Sequence, residues 1–304
     1  MKIFVTGGTG FVGKHLTRKL SEAGHEVFIL KRSAAKAKSS SFRAAMIEGD
    51  PKKPGPWQQR VAVSDAVINL AGTSIFTLWT ESARKSILDS RILTTRNIVD
   101  ALSSSSKDKI LINASAVGYY GSRLDDVILE ESSPPGNEFM SEICVRWEEE
   151  AEKASAAGVR VALCRFGIVL GRGGGALAKM VPAFRYFLGS ALGSGRQWLS
   201  WIHEDDLSRI FSFILDAPSI SGPLNCVSPN PERNQNFAKI LARNLGRPVI
   251  LPAVPGFILR SVLGDFADVV LKGQRAVPKK LLDSGFSFRF PTLNQALEDI
   301  LGEE

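Results

Sequence analysis

Three glycines at fixed spacing supply the first recognisable chemistry. Thr6-Gly7-Gly8-Thr9-Gly10-Phe11-Val12-Gly13 satisfies G-x-G-x-x-G as Gly8, Gly10 and Gly13, and G-x-x-G-x-x-G as Gly7, Gly10 and Gly13. The first glycines permit a tight turn. Gly10 lets backbone approach a pyrophosphate, and Gly13 lets the next helix pack closely on the strand before it. Free N–H groups and the helix dipole then hold the phosphates. Between a strand and a helix, this spacing marks a dinucleotide site; the alternative is a tight turn with no ligand. A second group follows at Lys31-Arg32-Ser33. An NAD site usually has a carboxylate there for the ribose 2′-hydroxyl. A carboxylate would repel a 2′-phosphate, whereas Lys31 and Arg32 attract one. This predicts NADP(H) as cofactor, with a solvated basic loop as the plainer alternative.

The elements that must carry these groups read as strands alternating with helices. Ile3–Thr6, Val27–Leu30, Ala66–Leu70, Ile110–Ala114 and Val159–Phe166 are short apolar runs. Helical spacing over residues 12–23, 82–102 and 141–157 separates them, with Val12, Leu16 and Leu20 on one face of the first. Continuous apolar strands between helices predict a parallel sheet covered on both faces, and right-handed crossovers make it doubly wound. The expected architecture is therefore an α/β Rossmann domain over 1–170, with a later strand near 224–227 returning to the sheet. Most of 171–304 reads as a smaller substrate lobe, with a ligand cleft beyond the carboxyl ends of the strands. The serine run 103–106 reads as a loop after a helix.

Bulk properties restrict the rest. The chain has 304 residues, 44% of them hydrophobic and 23% charged, which excludes disorder. No apolar run approaches the roughly 20 residues that span a bilayer, so no membrane partner is expected. The formal charge of +7 comes from scattered Lys and Arg without a basic stripe, which argues against a nucleic-acid partner. Cys144, Cys164 and Cys226 form neither a disulfide framework nor a metal-ligand spacing, and three dispersed histidines support no metal site. A soluble protein of the cytoplasm, in a reducing compartment, is the expectation.

Asn69-Leu70-Ala71-Gly72 and Ala114-Ser115-Ala116, with the glycine turn, resemble the extended short-chain dehydrogenase/reductase superfamily. Leu199-Ser200-Trp201-Ile202-His203-Glu204-Asp205-Asp206, Gly118-Tyr119-Tyr120-Gly121, Arg146-Trp147-Glu148 and the run Pro278 to Phe286 narrow the resemblance. They are similar to epimerase-family proteins of the bacterial YfcH type and their eukaryotic relatives in family 39U, over nearly the whole chain. The resemblance implies pyrophosphate contacts at Thr9, Gly10, Phe11 and Val12 and 2′-phosphate contacts at Lys31 and Arg32. It implies that Leu70, Ala71 and Gly72 pass the adenine-side ribose or the pyrophosphate, and that Phe166, Gly167 and Ile168 lie near the nicotinamide. It also implies an oxidoreductase or epimerase acting on a small molecule. A homodimer through the helices around 82–102 and 138–157 is a further implication, although no decisive apolar stripe marks it. Asp50 follows the third strand, where an adenine edge is often read.

The superfamily's proton chemistry rests on Tyr-x-x-x-Lys, whose i, i+4 spacing puts both groups on one helix face. Aligned on Trp147-Glu148, the tyrosine position holds Met140 and the lysine position Cys144. Neither replaces its counterpart: methionine moves no proton and a thiol carries no fixed positive charge. Three residues remain as catalytic candidates. Ser115 stands where the superfamily orients substrate, or is a strand-end hydroxyl bonded to backbone. Tyr120 faces the cleft, or is a packed aromatic with its hydroxyl bonded elsewhere. Cys144 is an activated thiol, or a buried inert one. Glu130 and Glu131 read as solvated. His203 with Asp205 and Asp206 reads as a tie between lobe and sheet and as a helix start, and Trp198 and Trp201 as core or cleft wall. Without the Tyr–Lys pair, the chain reads either as an oxidoreductase or epimerase-like protein with an atypical site, or as a catalytically silent NADPH-binding module.

Overall fold

A computed structural model describes residues 1–32, 44–103 and 108–302. Ser33 and residues 104–106 of the serine run lie outside the described residues. Seven parallel strands form the central sheet: β1 (Lys2–Thr6), β2 (Glu26–Lys31), β3 (Ala44–Glu48), β4 (Ala66–Asn69), β5 (Ile110–Ala116), β6 (Arg160–Phe166) and β7 (Gly222–Cys226). Their order is β7-β6-β5-β4-β1-β2-β3. The chain starts in the middle, runs out to β3, and crosses back to β4. The order therefore reverses between β1 and β4, and a ligand crevice opens at the carboxyl ends there.

Strand side chains alternate between two apolar layers. Ile3, Val5, Val27 and Ile29 enter one layer; Phe4, Phe28 and Leu30 enter the other. Full burial of each contributes about 1.5–3 kcal/mol, so the register is fixed from both sides. Helix α1 (Phe11–Glu22) covers the first layer with Leu16 and Leu20. Helices α2 (Glu81–Ser103) and α3 (Phe139–Glu152) cover the second, with Ile98, Leu102 and Ala151 in its core.

Helix α4 (Glu204–Asp216) lies with α1, burying Leu207, Ile210, Phe211 and Ile214 in the first layer. Strand β7 returns to the sheet as expected, but α4 also belongs to the sheet layers rather than to the smaller lobe expected over most of 171–304. The lobe's own core joins helices Leu177–Arg185, Asn234–Asn244 and Leu293–Leu301 through Leu177, Phe184, Phe237, Leu241 and Leu297. Trp201, fully buried, belongs to this core. Among the described residues no helix is long and apolar enough to cross a membrane.

The start of α4 ties three parts together. His203, its ring tilted against that of Phe290, caps the helix, its Nδ1 accepting the Asp205 N–H at 3.0 Å. Asp206 accepts the backbone N–H groups of Arg289 and Phe290, each at 2.8 Å. The tie was legible; that the cap is His203 rather than an aspartate was not. Asp205 reaches α1, with Lys19 Nζ 2.8 Å from its Oδ1 and His15 Nε2 at 3.7 Å. The nearby His15 ring, then Lys19, holds its carboxyl well below the usual range. A depressed carboxyl stabilises the fold above its unfolded pKa of about 3.9. That contribution is lost as pH falls through the lower folded-state value. Thermal melts of Asp205→Asn are therefore expected to fall less steeply below about pH 4 than those of the parent chain; parallel slopes would remove the linkage.

Candidate active site

The turn after β1 is built for close approach. Gly7 has φ +70°, and a Cβ there would meet the Leu70 carbonyl carbon at 2.6 Å, so the turns after β1 and β4 touch. The Thr6 hydroxyl donates to Asn69 Oδ1 at 2.6 Å, and the Leu70 N–H to the Thr6 carbonyl at 3.1 Å. Gly10 stands at the N-cap of α1, and no side chain caps the helix. The open N–H groups of the first turn face the crevice, where anions are favoured. A Cβ on Gly13 would meet the Gly7 oxygen at 2.2 Å and Gly8 Cα at 2.6 Å. The Phe11 ring lies against Gly174 and Gly175, folding the 171–175 loop over the start of α1. Sequence reasoning did not anticipate that contact, although the triple glycine was its signal.

Lys31 ends β2 and Arg32 is exposed beside it; among the described residues neither forms an ion pair. They stand on one side of the switch point, with Leu70, Ala71 and Gly72 on the other. Phe166 ends β6 and Gly167 and Ile168 follow it; Gly167 packs on the Ser200 carbonyl and Ile168 opens a short strand paired with Trp201–His203. Asp50 instead closes a local turn, its Oδ1 accepting the Lys52 N–H at 3.1 Å.

The three catalytic candidates are all sealed. Tyr120 does not face the cleft: it is 2% exposed, donating to Asn225 Oδ1 at 2.6 Å and accepting from Arg165 Nη1 at 3.0 Å. Burial pushes its hydroxyl up to about 12. Ser115 is buried and donates to Glu148 Oε1 at 2.6 Å. Cys144 is 1% exposed; burial, then the neighbouring Glu148 charge, pushes its thiol up to about 11. That is the reverse of what a thiolate nucleophile needs.

Behind them lies a charged pair that the sequence did not reveal. Arg165 on β6 meets Glu148 on α3 through Nε–Oε1 at 2.9 Å and Nη2–Oε2 at 2.8 Å. Burial works against the guanidinium's charge, but the two Glu148 bonds hold its pKa above the ordinary value. It also lies 3.5 Å from the Tyr119 ring centroid and donates to the Glu131 carbonyl. Glu131 is not simply solvated, since its carboxylate accepts the N–H groups of Asn225 and Lys280. The one signal was Glu148 itself, one turn after Cys144.

Comparison with known proteins agrees with this geometry. The model of the "NAD dependent epimerase/dehydratase family" matches residues 3–226, and a domain of unknown function, DUF1731, matches 254–300. The chain is similar to the epimerase family protein YfhF of Bacillus subtilis, 40% identical and covering 100% of this chain and 99% of that one. It is 41% identical to the chloroplastic SDR39U1 homologue of Arabidopsis thaliana, over 99% of this chain and 87% of the relative. The crystal structure of human epimerase family protein SDR39U1 (isoform 2) with NADPH superposes with a TM-score of 0.86 at 32% identity, covering both chains fully.

Proposed function

The chain belongs to the NAD-dependent epimerase/dehydratase family, and on that footing we propose that it binds NADPH and acts as an oxidoreductase of the extended short-chain type. The carrying observation is the uncapped start of α1 beside the Gly7–Leu70 contact, with Lys31 and Arg32 across the switch point. The N–H groups of Thr9, Phe11 and Val12 hold the pyrophosphate; the Gly10 N–H closes the turn on the Gly7 carbonyl, and Gly10 itself lets the backbone approach. Gly7 and Gly13 give the pyrophosphate room, and Lys31 and Arg32 hold the 2′-phosphate. Leu70, Ala71 and Gly72 line the opposite wall, and Phe166, Gly167 and Ile168 support the nicotinamide end. Bound NADPH would supply hydride to a carbonyl. The crystal structure of the human relative with NADPH supports this cofactor.

Gly13→Ala tests the turn. Its methyl group would collide with backbone, not with a flexible side chain. Displacing one or two phosphate hydrogen bonds at about 1.5–3 kcal/mol each predicts NADPH binding weakened at least about tenfold by calorimetric titration. Unchanged affinity would mean that the phosphates lie elsewhere.

A second reading has its own observation. With Met140 and Cys144 at the tyrosine and lysine positions, and Cys144 sealed and protonated, no side chain at those positions moves a proton. The chain then binds NADPH without turnover and serves as a regulatory module. Deuteride transfer from C4-labelled NADPH to a panel of carbonyl compounds separates the two readings. Transfer by the parent chain supports the oxidoreductase. Transfer only by the Met140→Tyr, Cys144→Lys double variant supports a competent but silent cleft. No transfer by either overturns the oxidoreductase.

A further inference from the structure

Whatever is reduced in this crevice must manage without a positioned acid. Met140 and Cys144 fill the tyrosine and lysine positions, and Ser115, Tyr120 and Cys144 are sealed. Tyr119 holds its ring centroid 3.5 Å from Arg165 Cζ and packs against the cluster of Val117, Leu129 and Val227. A simple ketone that takes hydride becomes an alkoxide, about as basic as hydroxide, whose conjugate acid has a pKa of about 15.7. A positioned acid then contributes about 10²- to 10⁴-fold in rate. A quinone becomes a phenolate, with a pKa of about 10, and needs no such acid.

The wall beside Met140 points the same way. Met140 packs on the turn after β5, where a Cβ on Gly118 would stand 3.6 Å from its own. Its neighbour Phe139 starts α3 and meets Trp79 with ring centroids 5.2 Å apart. Trp79 meets Phe266 at 5.8 Å and Phe76 meets Phe266 at 5.5 Å, each edge to face. Four rings thus join the segment after β4, the start of α3 and the C-terminal lobe. Phe76 and Leu78 remain 45% and 57% exposed there. Rings suit a flat apolar ligand, but offer a sugar none of the hydrogen bonds its hydroxyls would give up in leaving water. Arg84 Cζ lies 4.3 Å from the Phe139 centroid and Lys179 Nζ 4.7 Å from that of Phe76. Their charge favours a ligand that turns anionic.

Resting on the reading that the crevice holds NADPH and reduces a carbonyl, we propose that the substrate is a quinone, seated against Phe76, Trp79 and Phe139. The quinone accepts two electrons and one proton as the coenzyme's C4–H bond breaks and NADP⁺ remains. An O–H bond forms on one quinone oxygen, and the other is left as phenolate. That oxygen takes its proton from water, and a hydroquinone leaves.

Two probes share one ring system: 2-methyl-1,4-naphthoquinone and the ketone 2-methyl-1-tetralone. With the full chain and NADPH under nitrogen, the quinone is expected to be reduced at least about 100-fold faster than the ketone, after subtraction of the protein-free rates. Binding is read without turnover, by calorimetric titration of the quinone into chain saturated with NADP⁺. Phe76→Ala is expected to weaken it roughly 2- to 10-fold. Phe76→Leu removes the ring but keeps apolar bulk, and carries the test if the alanine variant does not fold. Comparable rates on the two probes, or reduction of the ketone alone, overturn the inference and leave the oxidoreductase reading intact. Quinone affinity unchanged in both variants overturns the proposed seat. Reduction of neither probe by a chain that binds NADPH overturns the inference and leaves the cofactor reading standing. A chain that binds no NADPH overturns both.

Discussion

Glu148→Ala is expected to lower the unfolding free energy by about 3–5 kcal/mol, the cost of stranding one member of a buried ion pair. The residue left behind decides the size. Arg165 is 2% exposed, and both its Nε and Nη2 bonds end on Glu148. Tyr120, the Tyr119 ring and the Glu131 carbonyl would remain, and none carries a compensating charge on a contacting atom. Ser115 would lose its acceptor as well. Urea denaturation of the parent, Glu148→Ala and Glu148→Gln measures the effect. The glutamine variant should fall between the other two, because it keeps volume and an acceptor but loses the charge. A change below about 1 kcal/mol for the alanine variant is the scale of a solvent-screened pair and would contradict the burial argument.

Lys31→Ala with Arg32→Ala is expected to weaken NADPH by roughly 30- to 150-fold while changing NADH less than about threefold. Charge-assisted hydrogen bonds contribute about 1.5–3 kcal/mol each when well formed. Arg32 is exposed, so screening holds the pair to about 2–3 kcal/mol together. NADH lacks the phosphate and so lacks the interaction. Calorimetric titration of both cofactors with parent and variant reads the ratio directly. Equal weakening of the two would refute a 2′-phosphate at these residues.

What was legible in the sequence was local. The glycine spacing, the helix after it and the basic pair after β2 each depend on residues a few positions apart, so periodicity and turn chemistry exposed them. Parallel pairing was legible too, because strands buried on both faces, such as Ile3–Thr6 and Ile110–Ala114, leave no room for alternation with polar residues. The failures were long-range. Tyr120 was a candidate for the cleft because its partner Asn225 lies 105 residues away and Arg165 lies 45 away. Nothing near Tyr120 announces either. The place of α4 was missed for a similar reason: the prolines after Gly171 suggested a new lobe, whereas Leu207 to Ile214 return to the sheet's first layer, as the strand near 224–227 was expected to do.

The most direct test of the central claim is calorimetric titration of the purified full chain with NADPH and, separately, NADH. The account predicts one NADPH bound per chain, preferred over NADH by at least about tenfold, the factor that 1.4 kcal/mol of phosphate recognition produces. Binding of neither nucleotide, or equal affinity for both, would contradict it.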